Sequence, residues 1–213
     1  MRSIAAVAVT ILCAVFPASA EDGSPQITWD WYRAAEILRN NPDAHPDQLK
    51  VAANYHRMAA EKGNAASAYK LAEMYENNVG VRQNYQEALK WYLKAAERGD
   101  KHAEFRLGVL HQKGLGTPPD PVAAISWYQR AAQKDNEWAY HMMAFMYADG
   151  EGVRRDVRKA KAYFEKSLPR TKDHWAEFKL AALIARENPG RARKLLRQSA
   201  AAGNADAIVM LAE

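Results

Sequence analysis

Apolar and small residues return along this chain at helical spacing, and they do so in blocks of one length. Ala88, Trp91, Tyr92, Ala95 and Ala96 form one stripe of a helix, small side chains alternating with large. The stripe recurs 36 residues later as Ala124, Trp127, Tyr128, Ala131 and Ala132, and again around Ala160 and Tyr163-Phe164. Three blocks, 65–100, 101–136 and 137–172, lie over one another without a gap. A core column of Leu71, Leu107 and Met143 precedes the stripe, followed by the glycine column Gly80, Gly116 and Gly152. Each block therefore predicts a helix A, a glycine loop and a helix B. A period of about 30 to 45 residues with small side chains at fixed phase marks a stacked array, whose units bury their apolar faces only against neighbours.

The polar punctuation agrees with that order. Helix A is cut at Asn77-Asn78-Val79-Gly80, Lys113-Gly114-Leu115-Gly116 and Asp149-Gly150-Glu151-Gly152, where glycine takes the left-handed geometry that ends a helix. Asn84, Asp120 and Asp156 stand where helix B begins, so their oxygens are read as caps for free N–H groups, not as catalytic or metal-binding acids. Pro121 fits the first helical position, and Asn84 with Glu87 reads as a capping box. Trp91, Trp127, Tyr92 and Tyr128 are expected in the core. Residues 48–62 give a further helix B. Its partner, around 29–39, lacks the repeat signature and is read as an N-terminal cap, with 40–46 as connecting loop. Residues 175–186 and 191–202 form a degenerate fourth pair joined by a shortened turn at Pro189-Gly190, and 205–213 supplies a C-terminal cap. The predicted organisation is a signal at 1–20, a capping helix and loop at 21–46, and repeats over 47–213, the degenerate one at 173–204.

The strings LAEMYENNVGVRQNYQEALKWYLKAAERG and LGVLHQKGLGTPPDPVAAISWYQRAAQK resemble the Sel-one-like repeat family, a branch of the tetratricopeptide-type α-solenoids. The resemblance covers most of the chain after Asp47. It implies an all-α, right-handed superhelical solenoid of antiparallel helix pairs, about four to five repeats of roughly 36 residues, with a concave binding face. It implies no single activity, because members act as adaptors, regulators and inhibitors. By analogy with tetratricopeptide arrays, helix A lines the groove, and the repeat columns place there Tyr69 and Glu73, then Phe105 and Val109. Trp138, His141 and Phe145 follow, then Trp175, Phe178 and Arg186. Trp138 and Trp175 share a column that other repeats fill with Ala66 and His102. Two arrangements are open: they stack side by side and, with Phe105 and Phe145, form an aromatic stripe, or they pack between adjacent helices.

The start of the chain has the layout of an export signal. Arg2 precedes the apolar run 4–16, Pro17 breaks it, and Ala18-Ser19-Ala20 is a small-x-small cleavage box. Cleavage after Ala20 predicts a periplasmic or secreted protein, favoured as a monomer. A run of about 13 apolar residues is short of the roughly 20 that span a bilayer. The only cysteine, Cys13, lies in that signal, so no disulfide is expected in the mature chain; bulky Leu12 before it argues against lipidation. The missing cysteines also set the chain apart from the disulfide-stapled branch of the family, some of whose members are linked to β-lactams. Charge is uneven: residues 21–149 carry 15 basic and 17 acidic side chains, a net −2, while 150–213 carry 14 and 8, a net +6. Such a basic third suits an acidic partner or anionic lipid headgroups, and otherwise a solvated helix face. Nucleic acid is not expected for an exported chain.

A search for chemistry finds no phosphate loop, HExxH, cysteine nucleophile or G-x-S-x-G elbow. His56, His111 and His141 occupy columns that are aromatic in sister repeats. His141-Met142-Met143 with Met146 has the composition of a soft copper site, but Met143 belongs to the core column, so the groups face different ways; neither cofactor nor metal is expected. The expected function is protein–protein interaction with one or more envelope proteins, as a regulator or assembly factor. The resemblance supplies as an alternative an immunity protein neutralising a toxic effector such as a phospholipase. Cell-wall or β-lactam chemistry is the rival from a different class.

Overall fold

The computed structural model describes residues 25–212; the expected signal at 1–20, with Cys13, lies outside the described residues. The described residues form eleven α-helices and no strand. Backbone contacts divide the chain into two units, Met1–Ala103 and Glu104–Glu213. In the first, α1 (Pro25–Arg39), α2 (Pro46–Glu61), α3 (Ala65–Asn77) and α4 (Tyr85–Glu97) pack each on the next. The second begins within α5 (Lys101–Lys113). It continues through α6 (Pro121–Gln133), α7 (Glu137–Asp149), α8 (Val157–Thr171), α9 (His174–Ile184), α10 (Pro189–Ala201) and α11 (Ala205–Ala212). There, from α6 onward, each helix packs on its successor. No described helix is long and apolar enough to cross a membrane.

Small residues let these helices approach, and one large ring per repeat fills the space between them. Ala88, Ala95, Ala124, Ala131 and Ala160 are fully buried, as are Tyr92, Tyr128 and Phe164. Trp91 is buried too, its indole N–H donating to Glu87 Oε2 at 3.1 Å and Lys94 lying 4.2 Å from the ring centre. Trp127, expected in the same environment, is only half-buried, with the Arg130 guanidinium 4.6 Å from its ring. The residue matching Glu87 in its repeat is Ala123, so no carboxylate draws the indole inward.

The buried hydroxyls show how the repeats vary together. Tyr92 donates to Glu76 Oε2 at 2.8 Å, and Tyr128 to Gln112 Oε1 at 2.8 Å. In the third repeat the ring is Phe164, which has no hydroxyl, and the facing position is Ala148. Burial pushes the Tyr128 phenol well above its ordinary range, which keeps it a donor. An acceptor thus appears where a hydroxyl must be satisfied, and a methyl where none exists.

Most loop expectations hold, with four corrections. Asn78, Gly114 and Gly150 take left-handed backbone, and Gly80, Gly116 and Gly152 do so two residues later. Asn84, Asp120 and Asp156 accept from backbone N–H groups at the start of helix B. The Asn84–Glu87 capping box is not reciprocal: the Asn84 N–H donates to the Tyr75 carbonyl, and Glu87 serves Trp91 instead. A full capping box appears at α2, where His45 accepts from Asp47 N and Gln48 Oε1 accepts from His45 N; Pro46 therefore starts that helix instead of closing a loop. The N-terminal helix starts at Pro25, earlier than expected. Its Glu36 accepts from Arg39 Nε at 2.8 Å and lies 3.3 Å from His56 Nε2 of α2. Burial raises the Glu36 pKa, but these partners outweigh it and hold the carboxyl at about 2. Finally, Pro189-Gly190 is not a turn. Asn188 caps Arg191 N at 3.0 Å, and Pro189 occupies the first position of α10, where a missing N–H costs nothing.

The repeat glycine is constrained by contact as well as by backbone angle. A Cβ on Gly152 (φ 66°) would sit 2.6 Å from the backbone carbon of Pro121, at the start of the preceding helix B. One on Gly80 would sit 2.3 Å from the Leu49 carbonyl oxygen. Gly152→Ala is therefore expected to lower stability by more than about 2 kcal/mol. Gly190→Ala, at an open helical position, is expected to be neutral or stabilising by up to about 1 kcal/mol; urea unfolding of the two variants checks this. A second expectation concerns the tyrosine pair. Tyr128→Phe and Gln112→Ala should each cost about 1 kcal/mol or more, whereas the double variant, which copies the third repeat, should recover most of that loss in a thermal double-mutant cycle.

Candidate protein-binding face

Helix A of each repeat starts on a cap that the sequence reading passed over. Asn64, Asp100, Asn136, Asp173 and Asn204 each accept from a backbone N–H two or three residues on. They follow the turn closing the previous helix B, and the Asn or Asp directly after the AA-x-x-G strings at 59–63 and 95–99 was the available signal. These caps fix where α7 and α9 begin, and so place Trp138 and Trp175 at the second helical position of each. Side chains there face away from the alanines that seat the helix: Ala139 and Ala176 are fully buried, while Trp138 is 48% exposed and Trp175 46%.

On α7, Trp138, His141 and Phe145 follow one another at a spacing of three and four residues and therefore share a face. Trp138 meets His141 edge-on at 5.8 Å between ring centres, and His141 meets Phe145 at 5.0 Å. Phe145 is half-buried and stands edge-on to Phe164 of α8 at 5.1 Å. On α9, Trp175 pairs edge-on with half-buried Phe178 at 6.3 Å. The two tryptophans do not stack on one another; each meets an aromatic of its own helix edge-on. Nor are they packed away between helices. Two polar bridges tie α7 to α9: His141 Nε2 lies 3.3 Å from Asp173 Oδ2, and Lys179 Nζ lies 2.7 Å from Asp149 Oδ1.

Burial lowers the His141 pKa against the pull of Asp173. The imidazole is thus neutral at neutral pH and offers an uncharged edge beneath the exposed Trp138. Of the other expected groove positions in this unit, Phe105 is half-buried against Tyr128 at 5.7 Å and Val109 is buried in the core. Val109 therefore offers little surface. Arg186 is exposed but lies past the end of α9, in the turn before α10, because that helix closes at Ile184. Tyr69 and Glu73 belong to the first unit. Tyr69 is half-buried against Tyr92 at 5.6 Å and His102 at 6.2 Å, and Glu73 pairs with Lys70 at 2.9 Å.

Met143 and Met146 are buried in the core beside this face, and the Nε2 of His141 is directed to Asp173. Among the described residues no three His, Cys, Asp or Glu side chains converge as metal ligands. Buried Glu104 is held by Lys134 at 2.9 Å and Arg130 at 3.1 Å, a structural ion pair between α5 and α6.

The Sel1 repeat family model matches residues 46–64, 65–100, 101–136, 139–168 and 178–204. Among solved structures, a Sel1 repeat protein from Oxalobacter formigenes is 28% identical, with a TM-score of 0.70, over 86% of this chain and 78% of its own. A protective antigen of uropathogenic Escherichia coli that displays the same repeat fold is 24% identical with a TM-score of 0.71; the match covers 97% of this chain but 47% of that one. A Sel1 repeat protein from Klebsiella pneumoniae matches at 22% identity and a TM-score of 0.52, over 90% of this chain and 97% of its own. Among curated proteins none matches. With five matched segments falling on the helices from α2 onward, and the fold shared with these structures, the chain belongs to the Sel1 repeat family.

Proposed function

We propose that this protein is an exported interaction module that binds another protein of the bacterial envelope and regulates it by occupancy, without catalysis. The observation that carries the reading is the pair Trp138 and Trp175. They stand at equivalent places on successive A helices, are extra to the repeat pattern, and remain half-exposed where nearby aromatics are packed. Exposed apolar surface of some size marks sites of protein contact, and tryptophan is enriched among the residues at the energetic centre of protein interfaces. The edge-on contacts to His141 and Phe178 hold both rings in place before binding, so little side-chain freedom is lost on association. Sel1 repeats serve in general as scaffolds for protein contact, which agrees with a surface built for packing.

Export rests on the first twenty residues, whose short basic start, apolar run and Ala18-Ser19-Ala20 box have the form of a cleavable signal. The mature protein recovered from cells is expected to begin at Glu21; recovery of intact Met1 from the cytoplasm would remove the envelope from the proposal. The binding face is tested by capture from envelope extract with the protein and with the variant Trp138→Ala, Trp175→Ala. Truncating one such tryptophan costs about 2 to 4 kcal/mol of binding, so the double variant is expected to lose its partner while unfolding at a similar temperature. Equal retention by both proteins would place the contact elsewhere.

A further inference from the structure

Several cations of the second unit are tied to acids across the helices, and others stand in solvent. Lys161, Arg170, Lys179 and Arg191 each reach an acid on a neighbouring segment: Glu187, Glu137, Asp149 and Glu165. Arg193, Lys194 and Arg197 are different. All three are exposed on α10, and among the described residues none forms an ion pair with an acid. At 100° per residue they fall within an arc of roughly 100° on the helix, opposite the side that buries Ala192, Leu196 and Ser199. Gly190 and Ala201 share the outer face and add little bulk, leaving a shallow concavity of about 340 Å³ among the three basic side chains. Helix α10 contains no acidic residue, and from Asn188 to Ala212 the sole acid is Asp206, in the first turn of α11. Isolated surface cations are ordinarily paired or dispersed. Three on one face of one helix, with no ion pair to an acid among the described residues, form a local positive field.

We propose that the solvent face of α10 is an electrostatic docking site for anionic phospholipid headgroups. Charge complementarity is the first argument. The second is the character of the surface: long flexible cations on the outside of a helix, with no exposed aromatic on α10 to anchor a protein partner. The third is the adjoining α11, which exposes Ile208 at 54% and Val209 at 60%. Ile208 occupies the repeat position of Tyr140, whose hydroxyl donates at 2.7 Å to the Ala132 carbonyl near the end of α6. Helix α11 packs on α10, so these aliphatic side chains belong to the helix next to the basic one. Aliphatic side chains beside a basic face have the composition of a contact that rests on a membrane surface without crossing it.

Each cation close to an anionic surface strengthens attachment about 5-fold, so three contribute on the order of 100-fold. Sedimentation with vesicles tests this. The protein is expected to bind vesicles of phosphatidylglycerol and phosphatidylcholine, not phosphatidylcholine alone, and to be released as salt rises, since screening shortens the reach of each charge to about 8 Å at physiological ionic strength. Replacing the cations together, Arg193→Gln, Lys194→Gln and Arg197→Gln, is expected to weaken attachment on the order of 100-fold with an unchanged unfolding temperature. The Trp138→Ala, Trp175→Ala variant is expected to bind vesicles like the parent, which separates this site from the aromatic face. Equal binding to both vesicle types, binding to neither, or full binding by the triple variant would overturn the proposal.

Discussion

The structure depends on fitting one large ring per repeat into a seat of alanines. Tyr92, Tyr128 and Phe164 are fully buried, and the alanines on the same stripe are nearly as inaccessible. No isolated helix pair of this length encloses such a ring, since a helix of 13 residues is marginal in water and shields only one side of a bulky side chain. The neighbouring pair completes the seat. Packing at interior density then leaves little freedom: a methyl added at Gly152 meets backbone, and one at Gly108 would lie 2.5 Å from the Tyr128 ring. Length, phase and glycine positions are consequently repeated because the contact is repeated.

That constraint makes departures from the repeat informative. A column that packs must hold its size and polarity, and the Tyr128–Gln112 contact beside Phe164 and Ala148 shows how strictly partners are matched. Where a column changes without a matching change opposite, something other than packing governs the residue. Trp138 and Trp175 are of that kind: each replaces a small or polar residue, and neither is buried. His141 is of the other kind. It replaces a repeat aromatic, and Asp173, one residue after the gapless block ends, supplies the carboxylate that a buried imidazole requires.

Architecture was legible in the sequence because its signals are redundant: period, glycine columns, helix B caps and alanine stripes all mark the same boundaries. What was less legible followed from single contacts. Trp91 and Trp127 are identical in the alignment of repeats, yet only Trp91 has a glutamate four residues earlier to hold its indole N–H. His45 is an unusual cap, and its box with Gln48 moved the start of α2 to Pro46. At the candidate face the columns place these residues on A helices, but a column cannot say whether a side chain is covered. Val109 proved to be core, and Arg186 fell beyond a helix that ended earlier than its apolar pattern.

The two proposed contacts divide between two kinds of force because the α9–α10 pair has two unshared sides. The helices bury Leu180, Ala181 and Ile184 of one and Ala192 and Leu196 of the other in the same core. Outside that core, α9 carries an exposed indole and α10 an exposed cluster of cations. A contact made by an indole is short-range and apolar, is insensitive to salt, and discriminates by shape. The cations act over about a Debye length, are weakened by salt, and respond to charge density with little regard to shape. A surface of the second type attaches a protein to a membrane without selecting among partners there. A surface of the first type then meets its target at the higher local concentration that attachment creates, so a modest contact area on each side is enough when both are engaged together.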